Sequence, residues 1–241
     1  LCIACLADSY LLDCLEYEAE IISLDLSRWQ EKLEGKRPDF LLVQSSLNTE
    51  RSEDEPGYAG FLEESIQGLI SFCKKQQIPT VFWDTEDHGH VSHFIEMARL
   101  FDRIFAADPQ SVSEYQKHLN KPVQILPPAI QPALHNPLKQ AEAVHYGFTV
   151  LFDGWSDMLE YPFRFDFLNP LLDKGLHIVE SRYRLVANKL DDLPKFRENI
   201  MGCITRKRLL TALRHYKVFI MPEKTLSSAV KRSWAALEAM A

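Results

Sequence analysis

Short apolar runs and segments of helical periodicity alternate along the first half of the chain. The runs are rich in β-branched and aromatic residues, which is typical of buried strands. The clearest example lies between residues 78 and 137, where the pattern predicts strand, helix, strand, helix and strand in succession. Repeats of this kind are typical of βαβ units, so we predict an α/β fold built on a parallel sheet.

The same pattern predicts the individual strands and helices of the first half. Predicted strands cover residues 3–7, 21–24, 40–43, 80–83, 104–107 and 123–126. Predicted helices cover residues 27–34, 61–76 and 111–119, and a further helix carries Phe94, Ala98 and Phe101 on one face. Residues 48–60 are polar, acidic and glycine-bearing, which indicates a loop.

Prolines divide the chain into two parts. Pro127, Pro128, Pro132 and Pro137 interrupt the pattern and indicate a linker. The pattern then restarts with predicted strands at 148–152, 176–179, 201–204 and 218–221, and with helices at 163–172, 205–215 and 227–240. We therefore expect an N-terminal domain of residues 1–135, a linker of residues 136–147 and a partial C-terminal domain of residues 148–241. The last helix simply stops, which suggests a segment of a longer parent chain with further domains.

Polar residues follow several of the predicted strands of the first half. In parallel sheets, ligand-binding groups gather just past the carboxyl ends of the strands, so these residues should share one edge. The loop after Trp83 is the richest in such groups. The residues expected at this edge are Asp84, Glu86, Asp87, His88, Asp108 and the pair Pro127 and Pro128.

Composition excludes several classes of protein. The formal net charge of −7 and the pI of about 5.6 give no basic field for nucleic acid. No apolar run approaches the ~18 residues that span a bilayer, and no signal peptide is visible. The five cysteines are odd in number and lie mostly in apolar segments, which fits a reducing compartment. Cys2-x-x-Cys5 is interpreted as core packing, with a redox or half-metal site as the alternative. We expect a cytoplasmic protein, or one peripheral at the inner face of the membrane.

Three stretches of the first half together resemble a known family. They are a strand entering a Trp-x-x-Glu-Asp loop, a Phe-Asp-x-Ile-Phe strand ending in Asp, and a Leu-Pro-x-Ala turn that closes on His-Asn-Pro. The residues concerned are Trp83, Glu86, Asp87, Phe101, Asp102, Ile104, Phe105, Asp108 and residues 126–137. The combination resembles GT-B glycosyltransferases of the spore-maturation CgeB-like family, found in bacterial surface-polysaccharide and cell-wall gene sets. The start of the chain is similar too, so the resemblance covers nearly its whole length.

The resemblance implies a fold and an activity. The fold would be GT-B-like, with two Rossmann-like α/β domains facing a cleft and the C-terminal one truncated. The activity would be transfer of a sugar from a nucleotide-sugar donor to a glycan or glycolipid acceptor, in bacterial surface polysaccharide or glycoconjugate synthesis. A helix dipole and cationic side chains would stabilise the leaving diphosphate, so neither a metal ion nor another cofactor is required.

The resemblance also implies where the donor binds. A helix N-terminus presents free N–H groups and a positive dipole to a diphosphate, which would be the role of Ser227 and Ser228. Glu238, further along the same helix, would accept the ribose hydroxyls. The alternative is an ordinary capped amphipathic helix. The full set of expected donor-binding residues is Gly154, Arg182, Arg184, Gly202, Lys224, Ser227, Ser228, Lys231 and Glu238.

On the acceptor side, the resemblance implies a general base in the loop after Trp83. The candidates are Asp84, Glu86, Asp87 and His88. Two other interpretations stay open. His88 and His90 with Asp84 could hold a metal ion, as in a metal-dependent hydrolase. Alternatively, the aspartates could cap the next helix while the histidines are exposed.

Two departures from the family pattern favour a second function. Many retaining GT-B enzymes carry another Glu at the position of Val230. The family often shows Glu-Ser-Ala-Trp where this chain has Gln44-Ser45-Ser46-Leu47. The chain could therefore be a catalytically degenerate GT-B scaffold or binding module of a larger polymer-synthesis protein.

Overall fold

The structure is a computed structural model, and it divides the chain into two compact units, Leu1–Gln131 and Pro132–Ala241. It describes residues 1–45, 58–85, 91–135, 150–153, 164–180, 194–204, 206–213 and 215–220. Each unit contains its own parallel sheet. The prediction of an α/β fold with parallel sheets is confirmed. The predicted linker and the predicted last helix lie outside the described residues.

The first unit holds a six-stranded sheet in the order β2-β1-β3-β4-β5-β6. Its strands are β1 Cys2–Leu6, β2 Glu20–Ser23, β3 Phe40–Gln44, β4 Thr80–Asp84, β5 Arg103–Ala106 and β6 Val123–Ile125. All five neighbouring pairs are parallel. The chain leaves β1 towards β2 on one side and returns through β3 on the other. This doubly wound order opens a crevice beyond the carboxyl ends of β1 and β3.

Helices connect these parallel strands. They are α1 Ser9–Leu15, α2 Trp29–Leu33, α3 Tyr58–Lys75, α4 Val91–Ala98 and α5 Pro109–His118. Helix α1 has no counterpart among the predicted elements, because its seven residues are too few to show a clear helical period. Its start is set by Asp8, whose carboxylate accepts a 2.7 Å hydrogen bond from the Leu11 N–H. The predicted start of α2 at Ser27 is corrected to Trp29, because the Asp25 carboxylate binds the Ser27 and Arg28 N–H groups in a turn.

An aromatic cluster forms part of the core of the first unit. The Phe82 ring of β4 lies 6.2 Å from the Phe94 ring and 5.4 Å from the Phe101 ring. Phe94, Ala98 and Phe101 are all buried as expected, but α4 ends at Ala98, so the prediction that Phe101 lies on the same helix is corrected. Burying a phenylalanine side chain contributes about 1.5–3 kcal/mol, which makes this cluster a substantial part of the stability of the unit.

The second unit holds a four-stranded parallel sheet in the order β10-β7-β8-β9. Its strands are β7 Val150–Asp153, β8 Leu176–Glu180, β9 Ile200–Cys203 and β10 Val218–Ile220. Around them lie α6 Arg164–Leu168, a 3₁₀ helix Asn169–Lys174, a second 3₁₀ helix Pro194–Asn199 and α7 Arg206–Leu213. In this sheet, β8 and β9 are added on one side of β7 and β10 on the other, so the strand order reverses between β7 and β10.

One predicted helix of the second unit is corrected by the structure. The sequence pattern predicts an α-helix over residues 163–172, but α6 ends at Leu168 and the chain continues as a 3₁₀ helix. Pro170 lacks an N–H group and its ring disfavours a continuing α-helix, which accounts for the change. Gly175 follows the 3₁₀ helix as its C-cap, and its φ of 73° suits a glycine.

Two general features concern the whole chain. All five cysteines are free thiols, and Cys5, Cys14 and Cys73 are buried. Across the described residues, every helix is either too short or too polar to cross a membrane.

Candidate functional site

The carboxyl ends of β1, β3, β4 and β5 place polar residues along one edge of the first sheet. Asp8 comes shortly after β1, and Asp108 comes after β5. Gln44 is the last residue of β3 and Ser45 follows it, and Asp84 is the last residue of β4 and Thr85 follows it. The register pairs Gln44 with Trp83, and Asp84 with Ala106, so the ends of neighbouring strands lie side by side. Of the acidic and histidine residues predicted at this edge, Asp84 and Asp108 are described, at the ends of neighbouring strands, whereas Glu86, Asp87 and His88 lie outside the described residues. The hydrogen bonds of the described residues decide what each can do.

Asp84, the one described member of the predicted base loop, is deeply buried. Its exposed fraction is 0%, and its carboxylate accepts a 2.7 Å hydrogen bond from the Tyr115 hydroxyl of α5. Burial, and secondarily the charge of Asp84, raise the pKa of Tyr115 well above its usual range, so the phenol keeps its proton. A general base must reach the substrate proton, whereas this carboxylate faces a buried phenol. The position suits anchoring of the following loop better than proton transfer.

Asp108 serves the helix that follows it. One carboxylate oxygen accepts hydrogen bonds from the Gln110 N–H at 2.8 Å and the Ser111 N–H at 3.0 Å, and the other oxygen accepts from the Ser111 hydroxyl. Asp108 is therefore the N-cap of α5. This role accounts for an aspartate at the end of the strand without invoking a ligand.

The resembling motifs also contain residues that stabilise the sheet itself. The Trp83 indole N–H donates to the Leu126 carbonyl oxygen at 2.9 Å, which ties the proline-containing turn to the end of β4. At the opposite edge, the Asp102 carboxylate accepts 2.8 Å hydrogen bonds from both the N–H and the hydroxyl of Thr80. Asp102 therefore lies at the amino end of β4, away from the edge formed by the carboxyl ends of the strands.

A second polar cluster, which we call the switch-point network, consists of Asp8, Gln44, Ser45 and Thr85. The Gln44 amide oxygen accepts from the Asp8 N–H at 3.1 Å, and its Nε2 donates to the Asp8 carboxylate and to the Thr85 hydroxyl, each at 3.1 Å. The Thr85 N–H donates to the Ser45 hydroxyl at 3.0 Å. The network lies where the crossovers from β1 and β3 diverge.

Sequence reasoning missed this network as a site. From the sequence, Gln44 and Ser45 stand out only as departures from a family pattern, and Asp8 is not singled out. A signal was present, since Asp8 follows a buried strand and can cap a helix. What the sequence does not show is the strand order, which puts β1 between β2 and β3 and brings Asp8 against Gln44.

Cys5 lies buried in β1, close enough to Asp8 for its pKa to respond to that negative charge. Burial first, and then the negative charge of Asp8, raise the pKa of the Cys5 thiol to about 12. The thiol therefore stays protonated at neutral pH, and reactive cysteines need the thiolate. The structure thus supports core packing of Cys5 over a redox role.

In the second unit, the order in which successive strands are added reverses between β7 and β10, while all the strands stay parallel. Of the nine expected donor-binding residues, Gly202 alone is described, and it lies in β9, two strands away from β7. Its φ is 102°, and it pairs with Val179 at an irregularity of the β8–β9 register. Nothing lies within 4 Å of a Cβ added there. Backbone conformation, rather than close packing, is therefore what calls for glycine.

Most of the predicted site residues lie outside the described residues, so their roles stay predictions. They are Glu86, Asp87 and His88 of the base loop and Gly154, Arg182, Arg184, Lys224, Ser227, Ser228, Lys231 and Glu238 of the donor site. The same holds for His90 of the alternative metal site. Within the described ranges, no three His, Cys, Asp or Glu residues are grouped so that they could hold a metal ion.

Comparisons with known proteins assign no family to the chain. No family model matches it, and no curated protein sequence is similar to it.

Proposed function

We propose that this chain is a GT-B-like glycosyltransferase module that moves a sugar from a nucleotide-sugar donor to a glycan or glycolipid acceptor. The observation that carries the proposal is the presence of two successive α/β units, each with a parallel sheet in which the strand order reverses at one point. Each unit can therefore offer one ligand crevice, as a two-substrate transferase requires. The family resemblance supports a donor on the second unit and an acceptor on the first.

The proposed chemistry divides between the two units. On the second, the N-terminus of the last predicted helix and nearby cations would stabilise the leaving diphosphate, without need of a metal ion. On the first, Glu86, Asp87 or His88 would remove the acceptor proton. Asp84, held by Tyr115, would fix the start of their loop. We place the reaction in the cytoplasm, in synthesis of a bacterial surface polysaccharide or glycoconjugate.

Donor binding provides the direct test. Titration calorimetry of the chain with nucleotide diphosphate sugars that differ in base is expected to show binding of one class. Glu238→Ala should weaken that binding by about 1–3 kcal/mol, because the ribose hydroxyls lose their acceptor. Glu198→Ala is the matched control, since Glu198 is exposed on the Pro194–Asn199 helix and should leave affinity unchanged. Equal affinities for the wild type and Glu238→Ala would exclude the assigned donor site.

A catalytically degenerate scaffold is the second candidate. Asp84 is withdrawn from solvent, and Gln44 stands where the family carries a carboxylate. Both observations favour a unit that binds without transferring. Release of nucleotide diphosphate in the presence of a bound donor and mixed glycan acceptors separates the two functions. Donor binding without turnover would favour the scaffold.

A further inference from the structure

Three neighbouring helices of the first unit end in basic residues at the amino edge of its sheet. Helices α3, α4 and α5 pack side by side on one face, in a single hydrophobic core. Because each helix between parallel strands runs back towards the amino ends of the strands, the last turns of the three lie at the same edge. These turns contain Lys74 and Lys75 in α3 and Lys117 and His118 in α5, and Arg99 follows directly after α4.

Hydrogen bonds show that this edge is continuous from α4 to β6. Arg99 Nη2 donates to the His118 carbonyl oxygen at 3.0 Å, which joins the ends of α4 and α5. Lys121, just before β6, donates through Nζ to the carbonyl oxygens of Arg99 at 2.7 Å and Phe101 at 2.8 Å. Arg103 begins β5 two residues after Phe101. We call the six cationic side chains the basic edge, which consists of Lys74, Lys75, Arg99, Arg103, Lys117 and Lys121.

Acidic residues neutralise half of the charge of the basic edge. Glu96 pairs with Arg99 at 3.1 Å, and Glu114 pairs with Lys117 at 2.6 Å. Asp102 is the third carboxylate in the last turns of these helices and the loops that follow them. Six cations against three carboxylates leave a formal charge of +3, in a chain whose formal net charge is −7. The basic edge is thus a local positive region on an acidic protein.

Half of the cations are not used within the protein. The side chains of Lys74, Lys75 and Arg103 are exposed, and they make no ion pair or hydrogen bond with the residues that the structure describes. Cations at helix ends often bind the last carbonyl groups, as Arg99 and Lys121 do here. Because the first three do not, their charge is available to a partner.

We propose that the basic edge binds an anionic membrane surface. Lipid headgroups move laterally and can gather around clustered cations, and each lysine or arginine near such a surface adds to the attraction. Four of the six cations are lysines, whose hydrated ammonium groups on flexible stems need no fixed pairing geometry. The sequence alone left a peripheral membrane location open, and the basic edge gives the surface that would make the contact.

The composition of the edge favours lipid over two other anionic partners. Protein interfaces are centred on apolar and aromatic anchors, whereas none of the exposed large hydrophobic residues of the described chain belongs to this edge. Proteins that bind single-stranded nucleic acid offer aromatic rings on which bases stack, and the described part of this edge exposes none. A surface that is charged without such anchors matches mobile anionic headgroups.

Co-sedimentation of the whole chain with lipid vesicles tests the proposal. One set of vesicles is phosphatidylcholine alone, and the other contains phosphatidylcholine with phosphatidylglycerol, which is anionic. We expect the chain to sediment with the anionic vesicles at low salt, to stay in solution with the neutral ones, and to be released at high salt because the charges are screened. Absence of binding to the anionic vesicles at low salt, or equal binding to both sets, would overturn the proposal.

Removing the three unpaired charges should release the chain from the vesicles. The triple variant Lys74→Gln, Lys75→Gln and Arg103→Gln is expected to bind anionic vesicles about a hundredfold more weakly, because each cation contributes about fivefold. Circular dichroism checks that the variant is folded. Lys74→Gln alone, with an expected loss of about fivefold, provides the test if the triple variant does not fold. Unchanged binding in a folded variant would contradict the role of the basic edge.

A matched variant in the second unit controls for net charge. Lys174→Gln, Lys195→Gln and Arg197→Gln removes two lysines and one arginine from exposed positions, so both triple variants have the same formal net charge. The control should bind anionic vesicles as the wild type does. Equal losses in the two triple variants would show that the basic edge is not responsible, and would overturn the proposal.

Competing anions test the class of partner. Single-stranded RNA and polyglutamate are titrated into the chain at the salt concentration of the vesicle experiment. Tighter binding of either than of the anionic vesicles, lost in the first triple variant, would overturn the lipid assignment in favour of nucleic acid or an acidic protein. Nucleotide-sugar titration separates this proposal from the proposed function. Vesicle binding without nucleotide binding would remove the transferase and keep the membrane surface, and the reverse would remove the membrane surface alone.

Discussion

At the scale of single residues, the end of β3 carries an amide, Gln44, where the resembling family often has a carboxylate. Gln44 has an exposed fraction of 2% and uses both its oxygen and its nitrogen, because it accepts from the Asp8 N–H and donates to the Asp8 carboxylate. A glutamate at this position would accept but could not donate. The glutamine at position 44 is therefore explained by its hydrogen bonds with Asp8, which a glutamate could not make in full.

Gln44→Glu should destabilise the first unit by about 1–3 kcal/mol at pH 7, because two donated hydrogen bonds are lost and a second carboxylate faces Asp8. The folded state raises the pKa of the new carboxyl, so the variant regains stability as the pH falls and this group becomes protonated. Urea denaturation at pH 7 and pH 5 measures both effects. Gln30→Glu, at an exposed position of α2, is the control, and equal stability of the two variants would disprove the matching of Gln44 to Asp8.

At the scale of elements, most strands and helices follow local pattern, and the exceptions have local causes. Pro170 turns the end of α6 into a 3₁₀ helix, and Asp8 starts a helix too short for its periodicity to be seen. Gly202 marks an irregularity in β9, with a φ of 102°. Glycine in a helix interior is a different case. Gly68 in α3 has an ordinary backbone, and a Cβ there would meet Trp29 at 3.6 Å, a normal contact distance.

The two glycines are therefore expected to respond in opposite ways to alanine. Gly202→Ala should destabilise the second unit by roughly 1–2 kcal/mol, since an L side chain rarely adopts its backbone conformation. Gly68→Ala should stabilise the first unit by about 0.5–1 kcal/mol, through the higher helix propensity of alanine. Thermal unfolding of both variants checks the pair. A stabilised Gly202→Ala would show that the backbone there is not strained.

At the scale of the whole molecule, the chain forms two units with separate sheets, and the proposed function assigns one substrate to each. Each unit has its own core, built for example around Phe82 in the first and around Ile178 in the second. The proposed donor residues belong to the second unit and the proposed base to the first. Donor affinity and turnover should therefore respond to different substitutions.

Neutral substitutions in the loop that holds the proposed base should change turnover without changing donor affinity. Replacing the residue that acts as base, by Glu86→Gln, Asp87→Asn or His88→Gln, is expected to lower turnover about 10²–10⁴-fold. Donor affinity should stay unchanged, because donor contacts are assigned to the second unit. Steady-state kinetics combined with donor titration measures both. Full turnover in all three variants would exclude a base in this loop.

The sequence alone determined the α/β class, the parallel strands and the burial of Phe94, Ala98 and Phe101. These features follow from periodicity and from the direction of the chain, which are local properties. Only the tertiary structure decided which polar groups meet, because strand order places Gln44 at the end of β3 where its amide contacts both Asp8 and Thr85. It likewise buried Asp84 against Tyr115, thirty-one residues away along the chain. Burial and hydrogen bonding between distant segments depend on packing, which no local pattern encodes.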